Sequence, residues 1–299
     1  MAEAAITTYG LSKRYQKARH FALRDLELNI KPGEIYGFLG PNGAGKTTTI
    51  RLLMNFIVPT RGQARILGLD TLTQSVQVKD KVGYLAGEVE LYPKMNGRQL
   101  LAYLSDLRPP PISGYVNVLC RRFKVELNQR ISSLSRGNRQ KLGIVQAFMN
   151  HPEVLILDEP TAGLDPLMQE EFFDLVRETK ERGATIFLSS HNLTEVQKVC
   201  DRVGIIRAGR LIKEQDIGDI VASSVQVFNI AFAKPVPEAQ LRTIAGLKLI
   251  LNSQHHATIK VRGDLRPLFR VLAKHQVRAL DRQESDLEEE FLKFYRGQS

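Results

Sequence analysis

Gly40, Pro41, Asn42, Gly43, Ala44, Gly45, Lys46 and Thr47, with Thr48 following, form a run of the type G-x-x-x-x-G-K-[ST] between an apolar segment and a helical pattern. Three glycines at that spacing let the backbone wrap closely with its N–H groups pointing inward, which makes an anion nest at a helix N-terminus. A lysine next in line would reach the β- and γ-phosphates of a nucleotide, and a threonine hydroxyl would ligate magnesium. A second run, Val154 to Leu157, is wholly apolar and delivers Asp158 and Glu159 at its end. Ligands of open α/β sheets bind at that end of a strand, so the two carboxylates fall where a phosphate cradle would need them. Together the two motifs point to the chemistry of a nucleoside triphosphate. Asp158 is the expected metal holder, and Glu159 is the group to orient or deprotonate an attacking water.

These residues need a parallel sheet to bring them together. Up to about residue 217, short apolar strands alternate with helices. Ile35–Leu39 precedes a helix over Lys46–Phe56, Val154–Leu157 precedes one over Pro166–Arg182, and Thr185–Ser189 precedes one over Leu193–Cys200. Apolar strands interleaved with helices predict a sheet covered on both faces. Residues 96–150 read as successive helices broken by the run Pro109, Pro110 and Pro111, a helical insert in the α/β core. Beyond Asp216 the pattern becomes β-α-β-β-α-β with a last, acidic helix near 286–296, which predicts a separate C-terminal domain.

A cradle and a carboxylate strand suit several nucleotide enzymes, and the residues around them discriminate. Leu134, Ser135, Arg136, Gly137 and Asn138 open a helix about twenty residues before the carboxylates, with Ser135 and Gly137 placed to meet a second anion. With this motif in place, residues 5–215 resemble the ATP-binding cassette family, whose LSGGQ-like signature covers the γ-phosphate bound by a second subunit. The resemblance implies a P-loop NTPase core with an antiparallel β subdomain and a helical subdomain near 88–140, all within 1–217, and a small α+β accessory domain at 218–299. It implies that Tyr15 stacks on adenine, that Gly163, Leu164 and Asp165 form the loop crossing the dimer, and that His191 contacts the γ-phosphate. Lys46, Glu159 and His191 are then the catalytic group, with ATP and magnesium bound.

Two motifs depart from the family pattern. The signature has Arg136 where glycine is usual and Asn138 where glutamine is usual; Arg136 is expected either to face solvent, the favoured reading, or to add a charged contact to the same phosphate. After the strand at Val82, the usual glutamine is replaced by Gly87 with Glu88 beside it, which makes Glu88 a candidate metal ligand together with Thr47 and Asp158.

Composition bounds the partners. With 43% hydrophobic and 25% charged residues over 299 positions, the chain can bury a sizeable core, so disordered and collagen-like classes are excluded. Cys120 and Cys200 are far apart and without CxxC spacing, so neither a disulfide scaffold nor a zinc site is expected. The net charge of +10 admits nucleic acid, but the excess is dispersed. Its densest cluster is Lys13, Arg14, Lys17 and Arg19 with His20, which could face phosphate or anionic lipid but reads more simply as a solvated surface, and no nucleic acid is expected. No leader peptide and no stretch of 18 apolar residues is visible, so membrane work would fall to a separate integral membrane subunit. The resemblance therefore implies the motor of a bacterial transporter, most like drug or antibiotic exporters. It would sit peripherally on the cytoplasmic face of the membrane, as a homodimer or paired with a related cassette. A cassette acting on nucleic acid or the ribosome is the alternative. Such relatives typically carry two cassettes or a long coiled coil, and neither is found. A regulatory GTPase would need an Asn-Lys-x-Asp guanine reader, which is also missing.

Overall fold

The computed structural model describes residues 4–16, 18–107, 114–223 and 225–283. The proline run, Lys17 and the expected last helix lie outside the described residues. Two compact units divide the chain, residues 1–215 and 216–299.

The first unit runs β1 (Ile6–Lys13), β2 (Leu23–Ile30), β3 (Ile35–Leu39), α1 (Lys46–Leu53), β4 (Arg61–Ile66), β5 (Leu69–Asp70), α2 (Ser75–Lys81) and β6 (Val82–Leu85). It continues with α3 (Gly97–Asp106), α4 (Tyr115–Arg122), α5 (Arg136–Phe148), β7 (Val154–Asp158), α6 (Pro166–Glu181), β8 (Thr185–Ser190), α7 (Leu193–Val199), β9 (Arg202–Arg207) and β10 (Arg210–Asp216). Strands β2-β1-β4-β5 make an antiparallel sheet, and β10-β9-β3-β8-β7-β6 make a second, largely parallel one.

Every residue of β3, β7 and β8 is buried, as expected of strands covered on both faces. On one face Tyr36, Phe38, Ile156 and Phe187 join the antiparallel sheet's Leu26 and Ile30 and the α1 residues Ile50 and Leu53 in a single core. Helix α1 stops three residues short of the expected Phe56. Met54 is its C-cap and Asn55 follows at φ 51, a left-handed conformation that ends the helix. Among the described residues, the stretch between β6 and β7 is helical apart from loops and an isolated Asn96–Arg130 bridge. Helix α3 there is closed by a capping box between Asn96 and Gln99.

The second unit runs α8 (Ile217–Ser223), β11 (Val225–Phe232), α9 (Glu238–Arg242), β12 (Leu247–Leu251), β13 (His256–Arg262), α10 (Arg266–Leu272) and β14 (Val277–Gln283). Its sheet has the order β12-β13-β11-β14, antiparallel throughout. Alternate residues Phe228, Ile230 and Phe232 meet Ile259 and Val261 with Leu241 of α9 and Leu268 of α10 in a core of its own.

Candidate functional site

Strand register assembles the site. β8 lies between β3 and β7, with Leu39 opposite Ser190 and Asp158 opposite Ser189, so the cradle, the carboxylates and His191 leave the sheet at one edge. Gly45 stands at the N-cap of α1 with φ 114, a conformation that side chains avoid, and no side chain caps the helix. The first-turn N–H groups are therefore left for an anion.

Lys46 is only 6% exposed. Its ammonium donates to the Gly40 carbonyl at 2.6 Å and the Pro41 carbonyl at 3.3 Å, and it pairs with Glu159 Oε1 at 3.1 Å. A buried ammonium needs such oxygens, and a phosphate would compete for the same charge. Thr47 Oγ1 donates to Asp158 Oδ2 at 2.9 Å, and Ser189 Oγ donates to Asp158 Oδ1. Hydroxyl and carboxylate thus already touch, the donor pair expected for a magnesium ion that keeps waters and phosphate oxygens as its other ligands. Among the described residues no cluster of three His, Cys, Asp or Glu could hold a metal by itself.

Glu159 sits at φ 46, a left-handed conformation costing a non-glycine residue roughly 1 kcal/mol or more, and its amide is held by Ser189. His191 Nδ1 lies 2.7 Å from Glu159 Oε2. Glu159 Oε1 is buried and, although close to Lys46, has no aligned hydrogen-bond donor. Such an orphaned oxygen at the mouth of a phosphate cradle is what a water-orienting base should present. Sequence reading assigns Glu159 a role toward water but no partners; the structure holds it between Lys46 and His191.

An open cleft of about 700 Å³ brings Thr47, Asp158, Glu159 and His191 together with Glu88 and Arg136. Arg136 is exposed, yet it lines this cleft. A Cβ at Gly87 would lie 3.4 Å from the Asp158 carboxylate, so the backbone at 87 faces the metal-side carboxylate while Glu88 is exposed. Burial pushes the Tyr84 phenol up to about 12, with the Asp158 charge adding to the effect, and keeps it protonated beside the cleft.

The other expected residues occupy quieter positions. Tyr15 is 38% exposed, with its hydroxyl 3.4 Å from Thr48 Oγ1. Ser135 is the N-cap of α5 and accepts from the Asn138 amide at 3.2 Å. A Cβ on Gly137 would come 2.7 Å from the Gly163 carbonyl, so the signature helix rests directly on the loop after the carboxylates. Asp165 caps α6 by accepting from the Met168 amide at 3.0 Å, with Pro166 in the first turn.

Sequence reading passed over Ser189, Ser190, Thr161 and Glu195. The signal for the first two was present, because consecutive serines closing an apolar strand must find partners once buried.

The ABC transporter family profile matches residues 23–162. The ABC transporter ATP-binding protein NatA of Bacillus subtilis is 37% identical over 215 residues, covering 69% of this chain and 87% of NatA. The chain belongs to the ABC transporter ATP-binding proteins. The bacitracin transport ATP-binding protein BcrA of Bacillus licheniformis is also 37% identical, over 70% of this chain and 69% of BcrA. An uncharacterized ABC transporter ATP-binding protein of Bacillus subtilis, YcbN, is 30% identical over 98% of both chains. Among solved structures, the ATP-binding subunit of an ABC transporter superposes with TM-score 0.67 at 29% identity, covering 72% of this chain and 91% of that one. A dimeric cassette in a post-hydrolysis state with ADP and Pi shares the fold, with TM-score 0.64 at 23% identity over 71% of this chain and 98% of that one. This ABC subunit accordingly binds and hydrolyses ATP as the motor component of a transporter, on a P-loop NTPase fold. Among its described residues no helix is long and apolar enough to cross a membrane.

Proposed function

We propose that this ABC subunit powers an exporter of drug- or antibiotic-type substrates from the cytoplasmic face of a bacterial membrane. It works as a head-to-tail dimer, homomeric or with a related cassette, bound to a separate integral membrane subunit. The observation that carries the catalytic part is the arrangement of Lys46, Glu159 and His191 at the end of adjacent strands, with one Glu159 oxygen buried and undonated. The export direction is supported by the likeness to a bacitracin transport protein and to the daunorubicin resistance ATP-binding protein DrrA3 of Streptomyces coeruleorubidus, 34% identical over 75% of this chain.

In this reading the backbone from Gly40 to Thr48, including Pro41, Asn42, Gly43 and Ala44, cradles the phosphates, and Tyr15 supports the adenine. Lys46 exchanges its pairing with Glu159 for the β- and γ-phosphates. Thr47 and Asp158 hold magnesium, with Glu88 as a further oxygen donor from the loop after β6. Magnesium supplies charge neutralisation at the phosphates. Glu159, released from Lys46, takes the proton of the attacking water, and His191 moves from Glu159 to the γ-phosphate. Ser135, Arg136, Gly137 and Asn138 of the partner subunit close over the γ-phosphate, and the loop ending at Asp165 crosses between subunits. ATP thereby favours the closed dimer, and hydrolysis reopens it.

The membrane subunit is proposed to dock on the apolar groove of about 290 Å³ lined by Met54, Phe56, Tyr84, Leu104, Leu107 and Met149. Coexpression with a candidate integral membrane subunit, followed by membrane fractionation, tests the assignment. The subunit should enter the membrane fraction only with that partner, and export of a drug should require Lys46. A chain that stays soluble with the partner present, and whose ATPase is stimulated by RNA or DNA, would overturn the reading.

A further inference from the structure

Beside the reacting groups lies a carboxylate that no motif accounts for. Glu195, on the first turn of α7, accepts the Thr161 hydroxyl on Oε1 at 2.8 Å and the Ser190 hydroxyl on Oε2 at 2.8 Å. Both hydroxyl residues are buried. Ser190 Oγ in turn accepts the Asn192 backbone N–H at 2.9 Å, and its own proton has Glu195 Oε2 at 2.8 Å as a much nearer acceptor than the Asn192 carbonyl at 3.4 Å. Thr161 stands two residues after Glu159, and Ser190 immediately precedes His191. A ring therefore closes: Glu159 through Pro160 to Thr161, across Glu195 to Ser190, on to His191, and back by the 2.7 Å contact to Glu159.

We infer that Glu195 is a positioning residue for hydrolysis, clamping the loop after β7 to the loop after β8 and so setting the spacing of Glu159 and His191. The chemistry favours a carboxylate, because two buried hydroxyl donors converge on it and each of its oxygens accepts one. Its position near the N-terminus of α7 eases the negative charge. The clamp also joins the base to the loop that continues through Gly163 to Asp165, so a displacement of that loop would be felt at His191. The hydrogen bonds of Glu195 go to Thr161 and Ser190 and not to the cradle. The ring meets the cradle only one step further on, through the pairing of Glu159 with Lys46 and the Ser190 carbonyl that accepts the Gly40 N–H. The first effect of losing Glu195 therefore falls on the Glu159–His191 spacing.

The inference rests on the proposed roles of Glu159 and His191, and the test keeps the two apart. Single-turnover ATPase rates would be measured for Glu195→Ala, Glu195→Gln, His191→Ala and the double variant His191→Ala/Glu195→Ala, each with its KM for ATP and melting temperature. Loss of the clamp should lower kcat by about 10- to 100-fold with KM changed less than about twofold, as for other groups that orient a reacting side chain. Glu195→Gln, which keeps one acceptor, should fall between Glu195→Ala and the natural protein. In the His191→Ala background, Glu195→Ala should add nothing, since the pair it aligns is already broken. An unchanged kcat in Glu195→Ala, losses that multiply in the double variant, or a KM rising in step with the fall in kcat would overturn the inference. Should Glu195→Ala not fold, the same double variant made with Glu195→Gln decides it. A His191→Ala protein of full activity would instead overturn the catalytic reading itself.

Discussion

Lys46, Glu159 and His191 hold one another in the structure, and this mutual pairing shapes what substitutions should do. Removing the Glu159 charge takes away the base and one partner of the Lys46 ammonium, while leaving the two carbonyls that position Lys46. Glu159→Gln is therefore expected to lower turnover by at least about 100-fold, the usual contribution of a general base, without weakening ATP binding. ATP should then accumulate a dimer visible by size-exclusion chromatography; a fully active variant would refute the role. Tyr15 sits outside this triad, with its hydroxyl 3.4 Å from Thr48 Oγ1 and the Lys13 ammonium 5.5 Å from its ring centre. Tyr15→Ala should raise the KM for ATP by about three- to tenfold with kcat unchanged, since stacking of this kind contributes about 0.5–1.5 kcal/mol to ground and transition states alike. Steady-state kinetics on the purified subunit would show a fall in kcat if Tyr15 did more than hold the base.

Elements of the site meet closely where α5 begins. Gly137 lies so close to the Gly163 carbonyl that a methyl group would force the helix and the loop after β7 apart. Gly137→Ala should cost about 1–3 kcal/mol from overpacking, read as a melting temperature several degrees lower, and should slow ATP hydrolysis because the displaced loop also carries Thr161. Equal melting temperatures would show that the contact yields without cost. How much of this was legible beforehand follows from the range of the interactions. The cradle from Gly40 to Thr48 could be read because its chemistry depends on contiguous residues and on one strand-to-helix turn. The helices of the insert and the four strands of the second unit could be read from periodicity. The stop of α1 at Asn55 could not, because a left-handed residue other than glycine leaves a faint mark in sequence. Nor could the pairing of Lys46 with Glu159, the contact of Gly137 with Gly163 or the Glu195 clamp, since each depends on the register of strands separated by long stretches of chain.

At the scale of the molecule, the two units carry separate cores, one around Phe38, Ile156 and Phe187 and the other around Phe228, Ile230 and Leu268. A polypeptide that buries its apolar residues within one unit needs no help from the other to fold. Residues 1–215 alone should therefore unfold cooperatively and bind ATP with an affinity close to that of the full chain. Residues 216–299 are proposed to act in association between subunits. Among the described residues, Ile250, Leu251, Phe269 and Leu280 leave about two-fifths of their surface exposed on this one small unit, and exposed apolar groups of that size favour contact with another surface. Deleting 216–299 is expected to raise the concentration at which ATP-loaded Glu159→Gln protein dimerises, measured by analytical ultracentrifugation, while the ATP affinity of the monomer stays the same. An unchanged dimerisation constant would make the second unit a passenger in dimerisation and return those apolar side chains to the membrane partner.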